Sequence, residues 1–190
     1  RHPFMKGILL KLAVLVSALI LSVGCSNPDS LSSKSNGSSV HDNQKNKETI
    51  QTYLKNEFTG PSEELKKLFN KFFSEDPTAL NAYIKEKYKS LIPEEDYQTF
   101  VNTNEAFRWL LPAYQAGYQL KIKNSEIQKV NNNNAYTFKV EVEYSKEGET
   151  KTAAVTGYIN MNDNGKISAI RDINDGGFAQ NMMLSAPKGQ

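Results

Sequence analysis

Residues 136–144 read YTFKVEVEY, and the alternation in this stretch decides the fold class. Successive side chains of an extended strand point to opposite faces, so Tyr136, Phe138, Val140, Val142 and Tyr144 share one side and Lys139, Glu141 and Glu143 the other. One face is core and one is wet. Turn signals bracket the stretch, with Asn131 to Asn134 before it and Glu147-Gly148 after it. The strand that follows carries Ala153, Val155, Gly157 and Ile159, and Asn164-Gly165 is a hairpin signal leading into Ile167 through Ile173. Upstream, Tyr118, Leu120 and Ile122 alternate with Gln119, Lys121 and Lys123, and the parity changes near Asn124-Ser125, which predicts a bulge before Ile127 and Val130. Four strands in meander order result.

Ahead of Gly117 the apolar period is helical. Ile50, Tyr53, Leu54 and Phe58 predict a helix from Thr49 that Thr59-Gly60-Pro61-Ser62 breaks. Ser62 is a candidate N-cap for a second helix, whose Leu65, Leu68, Phe69, Phe72 and Phe73 form one broad apolar stripe. Asp76-Pro77 has the form of a third start, with Leu80, Tyr83, Ile84 and Tyr88 on its inner face. Tyr97, Phe100 and Val101 suggest another helix, and Ala106, Phe107, Leu110 and Leu111 one more that Pro112 ends. Helices followed by a consecutive antiparallel sheet define an α+β domain over residues 49–178, with the helices on one side of a curved four-stranded meander and a tail over 179–190. Lysines 66, 67, 85, 87 and 89 alternate with glutamates at helical spacing and read as solvated faces.

The N-terminal part carries an address. From Met5 the chain reads MKGILLKLAVLVSALILSVGC, with Lys6 and Lys11 ahead of an uncharged run. That run is about 13 residues long against the roughly 20 a spanning helix needs, so it reads as a secretory signal rather than an anchor. Leu21-Ser22-Val23-Gly24-Cys25 resembles a bacterial lipobox, with Ser22 standing where leucine is usual. The resemblance implies that residues 1–24 are removed, that Cys25 receives diacylglycerol, and that the chain is held on the extracytoplasmic face of the cell membrane. Arg1 to Phe4 read as an upstream extension. Residues 25–48, rich in Ser, Asn and Lys, read as a flexible tether with a coil span near 25 Å, extending to about 70 Å if pulled straight.

Charge and residue inventory then exclude whole classes of chemistry. The full chain has 23 basic and 21 acidic residues, but Arg1, Lys6 and Lys11 precede Cys25, which leaves 20 against 21 in the mature chain. A near-neutral chain has no general pull on phosphate backbones, so nucleic acid is not an expected partner. Cys25 is the sole cysteine, and the two histidines are His2 and His41, both outside the periodic sequence. The expected domain therefore lacks the imidazole and thiol that nucleophilic triads and most zinc sites use, and neither catalytic residue, cofactor nor metal is expected. Asn160, Asn162, Asn164 and Gly165 match half of a calcium loop, yet Arg171 stands where the closing glutamate belongs, and a hairpin turn explains the same residues. Asp172 to Gly177 either offers carboxylates to a cation or ends the last strand. Arg171 and Asp172 interrupt Ile167, Ile170 and Ile173, and either one points into the interior or the two form an ion pair at the sheet edge. Phe107, Trp109, Tyr114, Tyr118 and Tyr158 either line a pocket or pack the core.

Element order from Thr49 to about Asn174, with NMNDNGKISAIRDIN as the closing hairpin, resembles the nuclear transport factor 2-like (cystatin-related) domains of extracytoplasmic proteins of Gram-positive bacteria. The resemblance implies a cone whose mouth often holds a ligand, in a family of isomerases, dehydratases and many non-catalytic modules. Fold alone does not choose among these. The expected function is a non-catalytic module binding a protein partner, wall component or small ligand. Its candidate contacts are Trp109, Tyr114, Tyr158, Arg171 and Asp172, and Cys25 is the lipidation site. One alternative is an isomerase or hydratase with Asp172 as a buried base beside a tyrosine. Another is a structural or regulatory part of an envelope machine, such as wall synthesis or sporulation.

Overall fold

A computed structural model describes residues 36–74, 76–130 and 133–185, which fall within a compact unit beginning at Lys34. The signal-like segment, Cys25 and the first part of the expected tether lie outside the described residues, as do Asn131, Asn132 and the last five residues. Five helices precede the sheet: α1 (Asn36–Phe58), α2 (Glu63–Ser74), α3 (Thr78–Tyr88), α4 (Glu94–Asn102) and α5 (Leu110–Ala116). The strands are β1 (Gln119–Lys129), β2 (Ala135–Lys146), β3 (Glu149–Met161) and β4 (Ile167–Asn174), and a short α6 (Phe178–Leu184) follows them. The sheet is antiparallel, open and in chain order β1-β2-β3-β4. This is the expected α+β meander.

Alternation works as the sequence predicts. Tyr136, Phe138, Val140 and Val142 of β2 are buried, and so are Val155, Gly157, Ile159 and Met161 of β3. Together with Leu120 and Ile167 they form one apolar cluster with the inner faces of the helices, including Tyr53, Phe58, Leu65, Phe69, Tyr88, Phe100, Leu110 and Met182. The β1 bulge falls between Ile122 and Asn124, beside the expected position. The hairpin at Asn162 to Lys166 closes through the Asn162 carboxamide, whose oxygen accepts from the amides of Asn164 and Lys166, with Gly165 in the left-handed region at φ +73°. Ser62 caps α2 by accepting from the Leu65 amide, and Asp76 accepts from the Thr78 amide at the start of α3.

Four expectations need correction. First, α1 starts at Asn36, not Thr49, so residues 36–48 of the expected tether are helical. Polar contacts dock this part: Asn46 is buried and donates to the Tyr136 hydroxyl, which itself donates to Asn43. An apolar period could not reveal a segment held this way. Second, the α2 stripe is covered only at its start. Leu65 and Phe69 are buried, but Phe72 and Phe73 are 44% and 55% exposed, because the helix runs past what covers it. Third, Pro112 does not end a helix but sits in the first turn of α5, where the missing N–H is not needed. Ala106 and Phe107 belong to the preceding turn. Fourth, residues 179–184 of the expected tail are helical, and Phe178 and Met182, four residues apart, bury the inner face of α6.

Candidate functional site

The outer face of the sheet, opposite the helices, carries a groove of about 280 Å³ that crosses all four strands. Glu126 and Gln128 of β1, Thr137 and Lys139 of β2, Thr156 and Tyr158 of β3, and Asp172 of β4 line it. A β-bulge builds its far wall. Thr156 pairs with Asn174 and Tyr158 with Arg171, so Gly157 alone opposes both Asp172 and Ile173. Asp172 takes φ +53°, a left-handed conformation that costs energy for any residue but glycine. Normal alternation would send neighbours to opposite faces, whereas the bulge puts Arg171 and Asp172 on the same side. Their side chains are 50% and 61% exposed, and Arg171 Nη1 donates to Asp172 Oδ2 at 2.7 Å. The Arg171 guanidinium also lies 4.9 Å from the centre of the Tyr158 ring.

Gly157 permits this geometry from behind. A Cβ there would meet Phe138 Cε1 at 2.7 Å and the Arg171 carbonyl oxygen at 3.4 Å. Phe138 thus fills the space a side chain would take. The sheet stays thin under the groove.

Of the five candidate contacts, the structure brings together Tyr158, Arg171 and Asp172 and separates them from Trp109 and Tyr114. Neither Arg171 nor Asp172 points inward; the ion-pair alternative describes them, and exposed pairs of this kind contribute about 0–1 kcal/mol. Trp109 is core. Its ring centre lies 4.3 Å from that of Phe58, and Nε1 donates to Asp175 Oδ2 at 3.2 Å. Tyr114 is half-buried against Phe69, and its hydroxyl donates to the Asn70 carboxamide oxygen. Asp175, in the stretch considered for a cation, instead accepts from the amides of Gly177 and Ala179 and starts α6. Among the described residues no group of three or more His, Cys, Asp or Glu could hold a metal ion.

A second polar centre was not foreseen. Glu57 on α1 is fully buried, and its Oε1 accepts from the Tyr88 hydroxyl at 2.5 Å and the Phe107 amide at 2.9 Å. Its Oε2 has no hydrogen-bond partner, although the Arg108 amide lies close enough to favour the charged form. Burial dominates and pushes the carboxyl up to about 7, against the opposing pull of the Tyr88 and Phe107 bonds. Burial also raises the Tyr53 and Tyr88 hydroxyls well above the ordinary tyrosine range. The signal lay in the spacing: Glu57 follows Tyr53 by four residues and Ile50 by seven, which places a carboxylate on the apolar stripe. A perturbed carboxylate beside a tyrosine is a recognisable acid–base pair. Glu57 does not line the outer groove, however, and aromatic rings close around it: Tyr88 stacks against Phe100 and Phe107 at 5.2 Å.

Comparison of the chain with protein-family models, with curated proteins and with solved structures finds no match to any of them.

Proposed function

We propose that this protein is a membrane-anchored, extracytoplasmic binding module, held by diacylglycerol on Cys25 and contacting its ligand through the outer groove around Tyr158, Arg171 and Asp172. The observation that carries the reading is the division of the molecule into a filled inside and a furrowed outside. Aromatic side chains occupy the space between helices and sheet, while polar and aromatic groups converge on the opposite face at a strained bulge. Helices followed by a four-stranded meander support the nuclear transport factor 2-like architecture. Trp109 and Phe107 are buried between the helices and the sheet, which favours the outer face as the ligand surface.

Non-catalytic action is favoured because Glu57, the one buried carboxylate among the described residues, is walled off by Tyr88, Phe100 and Phe107. A photo-crosslinking amino acid at position 158, introduced into the full chain in intact cells, tests the reading. An adduct to an envelope component at 158, lost when Arg171 and Asp172 are both alanine, is the expected result. No adduct at 158, or the same adduct from exposed position 151 on β3, counts against the groove.

A further inference from the structure

We propose that the open edge of β4 is a docking groove for an extended basic segment of a partner protein, which adds a fifth strand to the sheet. This surface is separate from the outer groove and goes beyond the reading above. The sheet order leaves β4 without a neighbour on its far side. Edge strands offer unpaired N–H and C=O groups that an extended peptide can bind, provided nothing covers them. At one end the Ile167 amide donates to the Leu91 carbonyl at 2.8 Å, which fixes where the free edge begins. At the other, the left-handed Asp172 breaks the regular backbone. Between them Ala169, Ile170 and Arg171 pair in unbroken register with Asn160, Ile159 and Tyr158, while Ser168 bulges beside Ile167, and among the described residues no backbone bond from outside the sheet reaches these four.

A groove of about 220 Å³ runs between this edge and α4. Its floor is apolar: Ile92, Phe100 and Ile167 are buried and Ile170 is half-buried. Its rim is acidic, with Asp96 from α4 and Glu105 from the loop after α4. Among the described residues no lysine or arginine nitrogen lies within 4.0 Å of either carboxylate. Backbone edge, apolar floor and acidic rim together select one kind of occupant. Alternate side chains of an added strand point to opposite faces, so apolar residues would enter the floor while lysines or arginines answer Asp96 and Glu105. A helix could not use the edge amides, and an acidic segment would meet like charge.

The test titrates the full chain into fluorescein-labelled octapeptides and follows anisotropy. An octapeptide alternating lysine and valine is expected to bind at least about tenfold more tightly than one alternating glutamate and valine. The Asp96→Lys, Glu105→Lys double variant is expected to erase or reverse that preference. Methylating alternate amides of the lysine peptide keeps its charge but removes donors, and is expected to abolish binding to the unaltered chain whether or not the double variant folds. Equal binding of the two peptides, no binding, or binding that survives methylation would overturn the proposal. A Tyr158→Ala chain should bind the lysine peptide as the parent does, so failure of this groove and failure of the outer groove are told apart.

Discussion

Glu57 joins three parts of the chain that are distant in sequence. Its carboxyl on α1 takes the hydroxyl of Tyr88 on α3 and the amide of Phe107 between α4 and α5. Phe107 sits at φ +58°, a conformation disfavoured for a bulky side chain, and the bond to Glu57 helps hold it there. Because the folded state raises this carboxyl from 4.5 to about 7, it binds a proton that the unfolded chain has released. The associated stability is complete below about pH 4.5, declines as the pH climbs toward 7, and levels off above it. Urea unfolding followed from pH 4 to 8 should reveal this fall, and a Glu57→Gln chain should lack it. A parent curve that is flat over that range would refute the assignment. Glu57 was missed in the sequence, although its spacing from Ile50 and Tyr53 puts it on the apolar stripe. The grouping of Tyr158 with Arg171 and Asp172 was not legible there, because it depends on a register shift between strands that no local spacing encodes.

At the scale of elements, the parts built from apolar repetition were readable and the parts built from polar docking or brevity were not. Strands β2 and β3 fall where YTFKVEVEY and its neighbour place them, and Ser62 and Asp76 cap the helices they precede. The first half of α1 is held instead by Asn43 and Asn46 on one tyrosine hydroxyl. Tyr136→Phe removes both bonds and leaves Asn46 buried without that partner, so it should cost about 1–3 kcal/mol and speed amide exchange between residues 40 and 48. Unchanged exchange there would mean that other contacts hold the helix. Helix α6 offers only seven residues, too few for a period to stand out. In α2 the two ends of one stripe should respond differently. Phe69→Ala is expected to cost about 3–5 kcal/mol, while Phe72→Ser and Phe73→Ser should each stay within about 1 kcal/mol by the same denaturation measurement. A large loss from either serine variant would show that the outer end is covered.

For the molecule as a whole, the α+β class and the meander order follow from a single change of period near Gly117. The burial of Trp109 does not, since a tryptophan at a helix start reads equally well as pocket or core. Attachment is a property of the entire chain, and the proposed lipid on Cys25 makes a direct prediction. Diacylglycerol supplies two chains, each buried methylene adding about 0.8 kcal/mol, which suffices for stable anchoring. Cys25→Ala should therefore move the protein from the membrane fraction to the soluble fraction with its unfolding curve unchanged. Retention in the membrane fraction would dismiss the anchor.

Under the proposed lipid anchor, the early start of α1 bears on how the protein meets others. Between Cys25 and Asn36 lie the ten residues Ser26 to Ser35, and whatever their shape they span no more than about 40 Å. A helix starting at Thr49 would have allowed about 70 Å. Search volume grows as the cube of reach, so for a domain held at Cys25 the volume would shrink roughly fivefold, and the effective concentration toward partners fixed near the same bilayer would rise in proportion. Thirteen mostly polar residues wound into helix would thus turn a long leash into a short one, which under the proposed anchor lowers the affinity that either groove needs for capture.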